Sequence, residues 1–263
     1  MHSGFDIDQF IHQLKEDTTF YHAFKNLRFE SYTMYNDIVI DDKKGEPKAT
    51  YHSQTKQVYN HSCRSMSTVS EKHSGDFFTR KNEYNYYTAK LYAHLFFTKD
   101  TVCNTKANTS NSKKSYTAKY EEQLRKLIFN PGQRIQGIPG IGDNVAIFEK
   151  PYIEKYRFTL SRESYQGEDC YIFKAIPKKE YKTDVVINEL KTWFRVSDMA
   201  IVARDYSLSY RTLLYDFDVL MYVKLKKHAQ SLIPYEIHYK GNWHVFGKPR
   251  EMATFTAIFT DFE

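Results

Sequence analysis

Asp216 and Asp218 stand two residues apart in a segment, Tyr215 to Leu225, that alternates apolar and polar residues. On an extended strand that spacing puts both carboxylates on one side, roughly 7 Å apart, within range of a general acid/base pair. The same row continues through Leu220, Tyr222, Lys224 and Lys226. A row that ends in lysines reads more simply as a solvated outer face than as a catalytic pair. His238 and His244 also share a strand face, but they are too far apart to ligate one metal without a third contributor. His52, His61 and His73 lie in a weakly patterned early region, and the chain contains no HxH or HExxH, so zinc has little support. A GxSxG elbow, a Walker loop and a strand-placed GxGxxG are all absent from the sequence. These residues predict a non-enzymatic protein that needs no cofactor.

The sharpest short match is Ile138-Pro139-Gly140-Ile141-Gly142 followed by Ala146. This resembles the hairpin of a helix-hairpin-helix DNA-binding motif, where glycines let backbone N–H groups approach a phosphate and a small residue lets two helices cross. Arg134 and Lys150 would suit phosphate contacts. Against it, Pro131-Gly132 interrupts the upstream helical pattern and Pro151 truncates the downstream one. The alternative is a glycine-rich connection that tucks Ile138, Ile141 and Ile147 against a sheet. Charge does not favour nucleic acid either. The net +6 comes from 38 basic and 32 acidic residues, spread without an arginine-rich block, and permits an anionic partner without requiring one.

Cys63, Cys103 and Cys170 show no CxxC or Cys/His spacing. Cys63 and Cys103 can pair in an oxidising compartment and leave Cys170 over; alternatively all three stay thiols. The chain opens directly on a helical pattern, with no charged and apolar signal stretch. Either the protein is cytoplasmic or a targeting segment has been removed.

These side chains need elements to hold them. Tyr and Phe number 22 and 19 against 2 Trp, a balance that favours half-buried pleated surfaces. Ser3 and Asp6 cap a first helix whose stripe is Phe5, Phe10, Ile11 and Leu14, running to roughly residue 18. Leu27 to Ile40 and Ala49 to Val58 read as a hairpin around Asp41-Asp42-Lys43-Lys44-Gly45, with a third strand within Cys63 to Val69. Tyr84, Tyr87, Leu91 and Leu95 mark one face of a helix, and Tyr116, Tyr120, Leu124, Leu127 and Ile128 mark another. Residues 104–114 between them read as a polar insertion. From Tyr156 the period switches to two. The cleanest strand carries Tyr215, Phe217, Val219, Met221, Val223 and Leu225 on one face. Six to seven short-linked strands predict an antiparallel meander with one buried face. That face is either ordinary core beneath about three helices, or the wall of a cleft for an apolar ligand.

Cys170 to Lys178, Thr192-Trp193-Phe194, Ala203-Arg204-Asp205-Tyr206, Leu214 to Val219 and His238 to Trp243 together resemble cell-envelope proteins of Bacteroidetes-type bacteria that share the fold of the lipoprotein carrier LolA and its receptor LolB. The likeness covers most of the chain, read as one domain over 1–263. It implies an α+β fold, a curved antiparallel sheet forming an incomplete β-barrel over helices. It also implies an apolar cavity for a lipid or lipoprotein acyl chain, here drawn from Tyr215, Phe217, Val219, Met221, Val223, Leu91, Leu95 and Leu124. A periplasmic or outer-membrane-associated location follows, with a leader removed, an outer-membrane or envelope protein as partner, and nucleic acid disfavoured.

Overall fold

The computed structural model describes residues 7–103, 129–135, 141–211, 215–245, 247 and 249–263. Its framework is one eleven-stranded sheet in the order β4-β3-β2-β1-β11-β10-β9-β8-β7-β6-β5. The strands are β1 (Tyr32–Asp41), β2 (Pro47–Asn60), β3 (Cys63–Ser74) and β4 (Val102–Cys103). After the middle of the chain come β5 (Tyr156–Tyr165), β6 (Glu168–Pro177), β7 (Ile187–Arg195), β8 (Ile201–Arg211), β9 (Tyr215–His228), β10 (Ser231–Val245) and β11 (Glu251–Thr260). Each pairs antiparallel with its neighbours, and β5 at one end does not meet β4 at the other. The sheet is therefore curved but unclosed, an incomplete barrel over helices.

Short turns make this meander possible. Gln166 and Gly167 between β5 and β6, and His61 and Ser62 between β2 and β3, are consecutive residues with positive φ. That is the turn geometry whose twist matches two antiparallel strands. Between β1 and β2 the Asp42 carboxylate accepts from the backbone N–H of Lys44 and Glu46 at 2.7 and 3.0 Å, so the side chain satisfies the bend.

Alternation then sends one row of each strand to a common apolar face. Among the described residues three helices cover it: α1 (Ile7–Glu16), α2 (Thr19–Asn26) and α3 (Tyr87–Phe96). Phe10 of α1 meets Phe194 edge-on, with ring centroids 5.0 Å apart, and lies over Phe173. Phe20 and Ala23 of α2 are buried, and Asn26 donates to the Leu232 carbonyl at 2.8 Å. Tyr92 and Phe96 of α3 pack on Phe255 and Phe259. Ile141, Val145, Ile147 and Phe148 extend the same core, Phe148 reaching Phe158 and Phe173. A second, small cluster consists of Cys170, Ile172, Trp193, Val202 and Ala203.

Several boundaries differ from the sequence expectation. The first helix ends at Glu16, and at the joint before the second the Asp17 Oδ1 accepts from Thr19 N–H at 2.8 Å. Residues 27–29 form a 3-10 turn and the first strand starts at Tyr32. The third strand continues to Ser74, where an edge strand tolerates polarity. Tyr84 lies outside α3, in a bridge with Phe78. The helix buries Thr88, Ala89, Leu91, Tyr92 and Phe96, whereas Tyr87 is exposed and Leu95 half-buried. The expected helix over 116–128 and the insertion at 104–114 lie outside the described residues.

Cys63 and Cys103 form a disulfide that ties β4 to the start of β3, and Cys170 is a buried free thiol. The bond closes 40 residues, a loop whose entropy in the unfolded chain is worth about 4 kcal/mol. Reduction, or the pair Cys63→Ser and Cys103→Ser, lowers the urea midpoint; an unchanged midpoint would show that the tie is slack. A second expectation concerns alkali. Burial holds the hydroxyls of Tyr92, Tyr206 and Tyr239 above the usual range, and pushes Tyr51 up to about 12. The unfolded chain releases those protons near pH 10 while the folded chain keeps them, so stability is full below about pH 10 and falls above it. Equilibrium unfolding between pH 8 and 11.5 should show no such fall before about pH 10.

Candidate functional site

The β9 row expected to line a cavity is buried beneath the helices. Phe217, Val219, Met221 and Val223 are each 2 % exposed or less, and Phe217 lies 4.7 Å, centroid to centroid, from Trp243. Tyr215 opens the same strand. Leu91 is buried, Leu95 lines a small pocket, and Leu124 is outside the described residues. The structure thus brings the β9 residues together as core, with openings left on either side of α2.

The wider opening is a groove of about 570 Å³ at the joint between α1 and α2. Its floor is Phe194, Ile201 and Leu232, with Met199 and Ala200 from the β7–β8 turn and Asp17 and Thr19 from the helix joint. That volume falls within the usual range for small-ligand sites, and the walls are mainly apolar. Asp17 Oδ2 is buried here with no hydrogen-bond partner among the described residues. Near it, Arg204 of β8 is buried at 5 % exposure, donates from Nε to Thr192 Oγ1 at 3.1 Å, and lies 4.2 Å over the Phe20 ring. Desolvation lowers its pKa to about 10, opposed by the Asp17 charge. A guanidinium in an apolar core, without an ion pair among the described contacts, is costly to bury.

The second opening is a pocket of about 60 Å³ between α2, α3 and the β1–β3 end of the sheet. Phe24, Leu27, Leu95, Phe96 and Phe129 form its apolar wall, and Lys25, Arg28, Arg64 and His94 also line it. Neither the α2 nor the β3 contributor was singled out from sequence, because Lys25 and Arg64 sit in unremarkable polar surroundings until the sheet curls.

The other sequence candidates resolve into structural roles. Asp216 accepts from Arg250 and sits 3.2 Å from His244 Nδ1, whereas Asp218 is exposed. His238 is held by Glu236, which also binds Lys224 at 2.6 Å. No group of three metal-ligating side chains occurs among the described residues. The helix-hairpin-helix reading is corrected. Residues 141–150 form turns rather than a helix, Ile141 and Ile147 are core, and Arg134 is bound to Asp143 and Glu149. Gly140 lies outside the described residues.

No family model and no curated protein matches the chain. Solved structures similar to it include a domain described as outer membrane lipoprotein-sorting from Vibrio parahaemolyticus, at 10% identity and TM-score 0.29, covering 98% of this chain and 90% of that one. A DUF1329 family protein from Desulfovibrio piger is similar at 10% identity and TM-score 0.30, covering 98% and 93%. Lipovitellin is similar at 8% identity and TM-score 0.30, over 89% of this chain but 25% of that one.

Arg204→Met tests whether the buried charge supports the fold. A methionine keeps apolar bulk over Phe20 and removes the desolvation cost. The melting temperature should hold or rise; a fall of more than about 5 °C would mean that the guanidinium makes a net stabilising contact.

Proposed function

We propose that the protein is a non-enzymatic binding protein of the cell envelope, of LolA/LolB type, that holds a lipid, a lipoprotein acyl chain or another apolar ligand between sheet and helices. The observation that carries this reading is the groove at the α1–α2 joint. It opens onto the same apolar face that α1 covers with Phe10 and Leu14. Among its ties to the rest of the fold, Gln133 Nε2 donates to the Leu14 and Lys15 carbonyls at 3.2 and 2.9 Å. A ligand that buries as much apolar surface as Phe10 and Leu14 can take the place of α1.

Magnitudes favour the exchange. Exposing Phe10 and Leu14 costs about 3–6 kcal/mol at the usual value for large apolar side chains. An acyl chain gains about 0.8 kcal/mol per buried CH₂, so roughly eight methylenes offset the loss of α1 docking. Phe173 of β6 and Phe194 of β7, the rings that Phe10 covers, would then become part of the ligand wall. The disulfide supports an oxidising location, since such bonds persist outside the reducing cytosol.

The reading predicts a chain-length threshold. Saturated fatty acids shorter than about eight carbons should bind weakly in titration calorimetry, and each further methylene should tighten binding about fourfold. Native mass spectrometry of gently purified protein should show one bound acyl species. Flat affinity from eight to sixteen carbons, or no binding at any length, would sink the proposal.

A further inference from the structure

The pocket between α2, α3 and β1–β3 combines apolar walls with an unusual charge lining. Arg64, Lys25, Arg28 and His94 all contribute to it, and among its described lining residues there is no aspartate or glutamate. Arg64 is the residue that matters most. It sits on β3, whose far edge is exposed, yet its Nε is buried and has no hydrogen-bond partner among the described residues. Burial lowers its pKa, and the charge effect upon it among the described residues comes from the Tyr32 phenol, which is neutral at ordinary pH. Glu30, close by in the chain, faces His228 at 3.5 Å and is not part of the lining. Gln57, which also lines the pocket, is spent: its amide donates to the Leu27 and Glu30 carbonyls, each at 2.8 Å, and accepts from Thr98 at 3.1 Å.

A buried guanidinium donor left without an acceptor is costly, and proteins keep such groups where an anion completes them. We propose that this pocket binds the anionic headgroup, a carboxylate or a phosphate, of a chain-bearing amphiphile, with Arg64 as its principal contact. The volume of about 60 Å³ is right for a headgroup and too small for a long chain. Leu27, Leu95 and Phe96 receive the first carbons, and Lys25 adds to the positive field at the pocket. Guanidinium suits both headgroup chemistries because its fork matches two oxygens at once. This inference rests on the reading that the protein holds an apolar chain, and it adds a selection for charge.

Calorimetric titration of the full chain with four twelve-carbon probes tests it: dodecanoate, dodecyl phosphate, dodecanol and dodecyltrimethylammonium. At least one anion should bind about tenfold tighter than dodecanol, the discrimination one charge-assisted hydrogen bond supports. The cation should bind weakest, and Arg64→Gln should erase the preference for the anion. The tighter of the two anions identifies the headgroup as carboxylate or phosphate. Equal binding of dodecanol and both anions to the wild-type protein overturns the headgroup assignment while leaving apolar-ligand binding intact. Failure of all four to bind overturns both. A folded Arg64→Gln protein that keeps the anion preference overturns the role of Arg64, and the wild-type comparison decides the charge selection even if that variant does not fold.

Discussion

The pairing of β1 with β11 is the contact on which the rest of the architecture depends. It joins Thr33 to Thr260 and runs without a break to Asp41 opposite Met252. Without it the chain would hold a meander from β5 to β11 and a separate hairpin group from β1 to β4. With it, the two become one curved surface whose inner rows are continuous, so Met34 and Ile38 of β1 lie in one core with Phe255 and Phe259 of β11. Because side chains alternate with a period of two, a slip of one residue here would turn each of those rows outward. The seam is a long-range closure between the two ends of the chain, and it is favoured only when the apolar rows on both sides are buried together.

Once the surface is continuous, the helices can be fixed to it by polar contacts that no local segment supplies. The first N–H groups of α3, from Tyr87 and Thr88, donate to the Glu251 carboxylate of β11 at 2.8 and 2.7 Å. This capping anion arrives from the far end of the chain and suits the positive end of the helix dipole. Deeper in, the Tyr92 hydroxyl donates to Asn36 Oδ1 at 2.7 Å, and Asn36 donates in turn to Ser53 Oγ at 3.1 Å. These bonds set the height of α3 above the sheet, and with it one wall of the basic pocket. At α1 the ring of Phe10 meets Phe173 and Phe194, and Gln133 donates to the Leu14 and Lys15 carbonyls.

The two arginines of the inner face show how the same side chain takes different roles by depth. Arg204 is enclosed on all sides, with its ring stacking and one hydroxyl contact in place of an ion pair. Arg64 stands at a pocket wall beside other cations. Neither has a described carboxylate within salt-bridge distance. An apolar barrel that keeps two such groups bears a stability cost that its aromatic packing must offset.

Much of the framework was legible in the sequence, because strands announce themselves by alternation. Tyr215 to Leu225 and Tyr156 to Leu160 could be read directly, and the expected six to seven strands of the second half compare with the seven that form. The antiparallel sheet covered by helices follows from that pattern, since each strand must bury one row. Helix limits were less legible. One helix ends at Glu16 and another starts at Thr19, with a local Asp17 bond at the joint, and Tyr84 looked like a helical residue on spacing although β-bridging removes it. The sheet order, the β1–β11 seam, the Glu251 cap and the gathering of Lys25, Arg28, Arg64 and His94 around one pocket belong to tertiary structure alone. The physical reason is the range of the forces. Periodic burial is written residue by residue, whereas seams, caps and charge clusters join positions that become neighbours only after the sheet has curled.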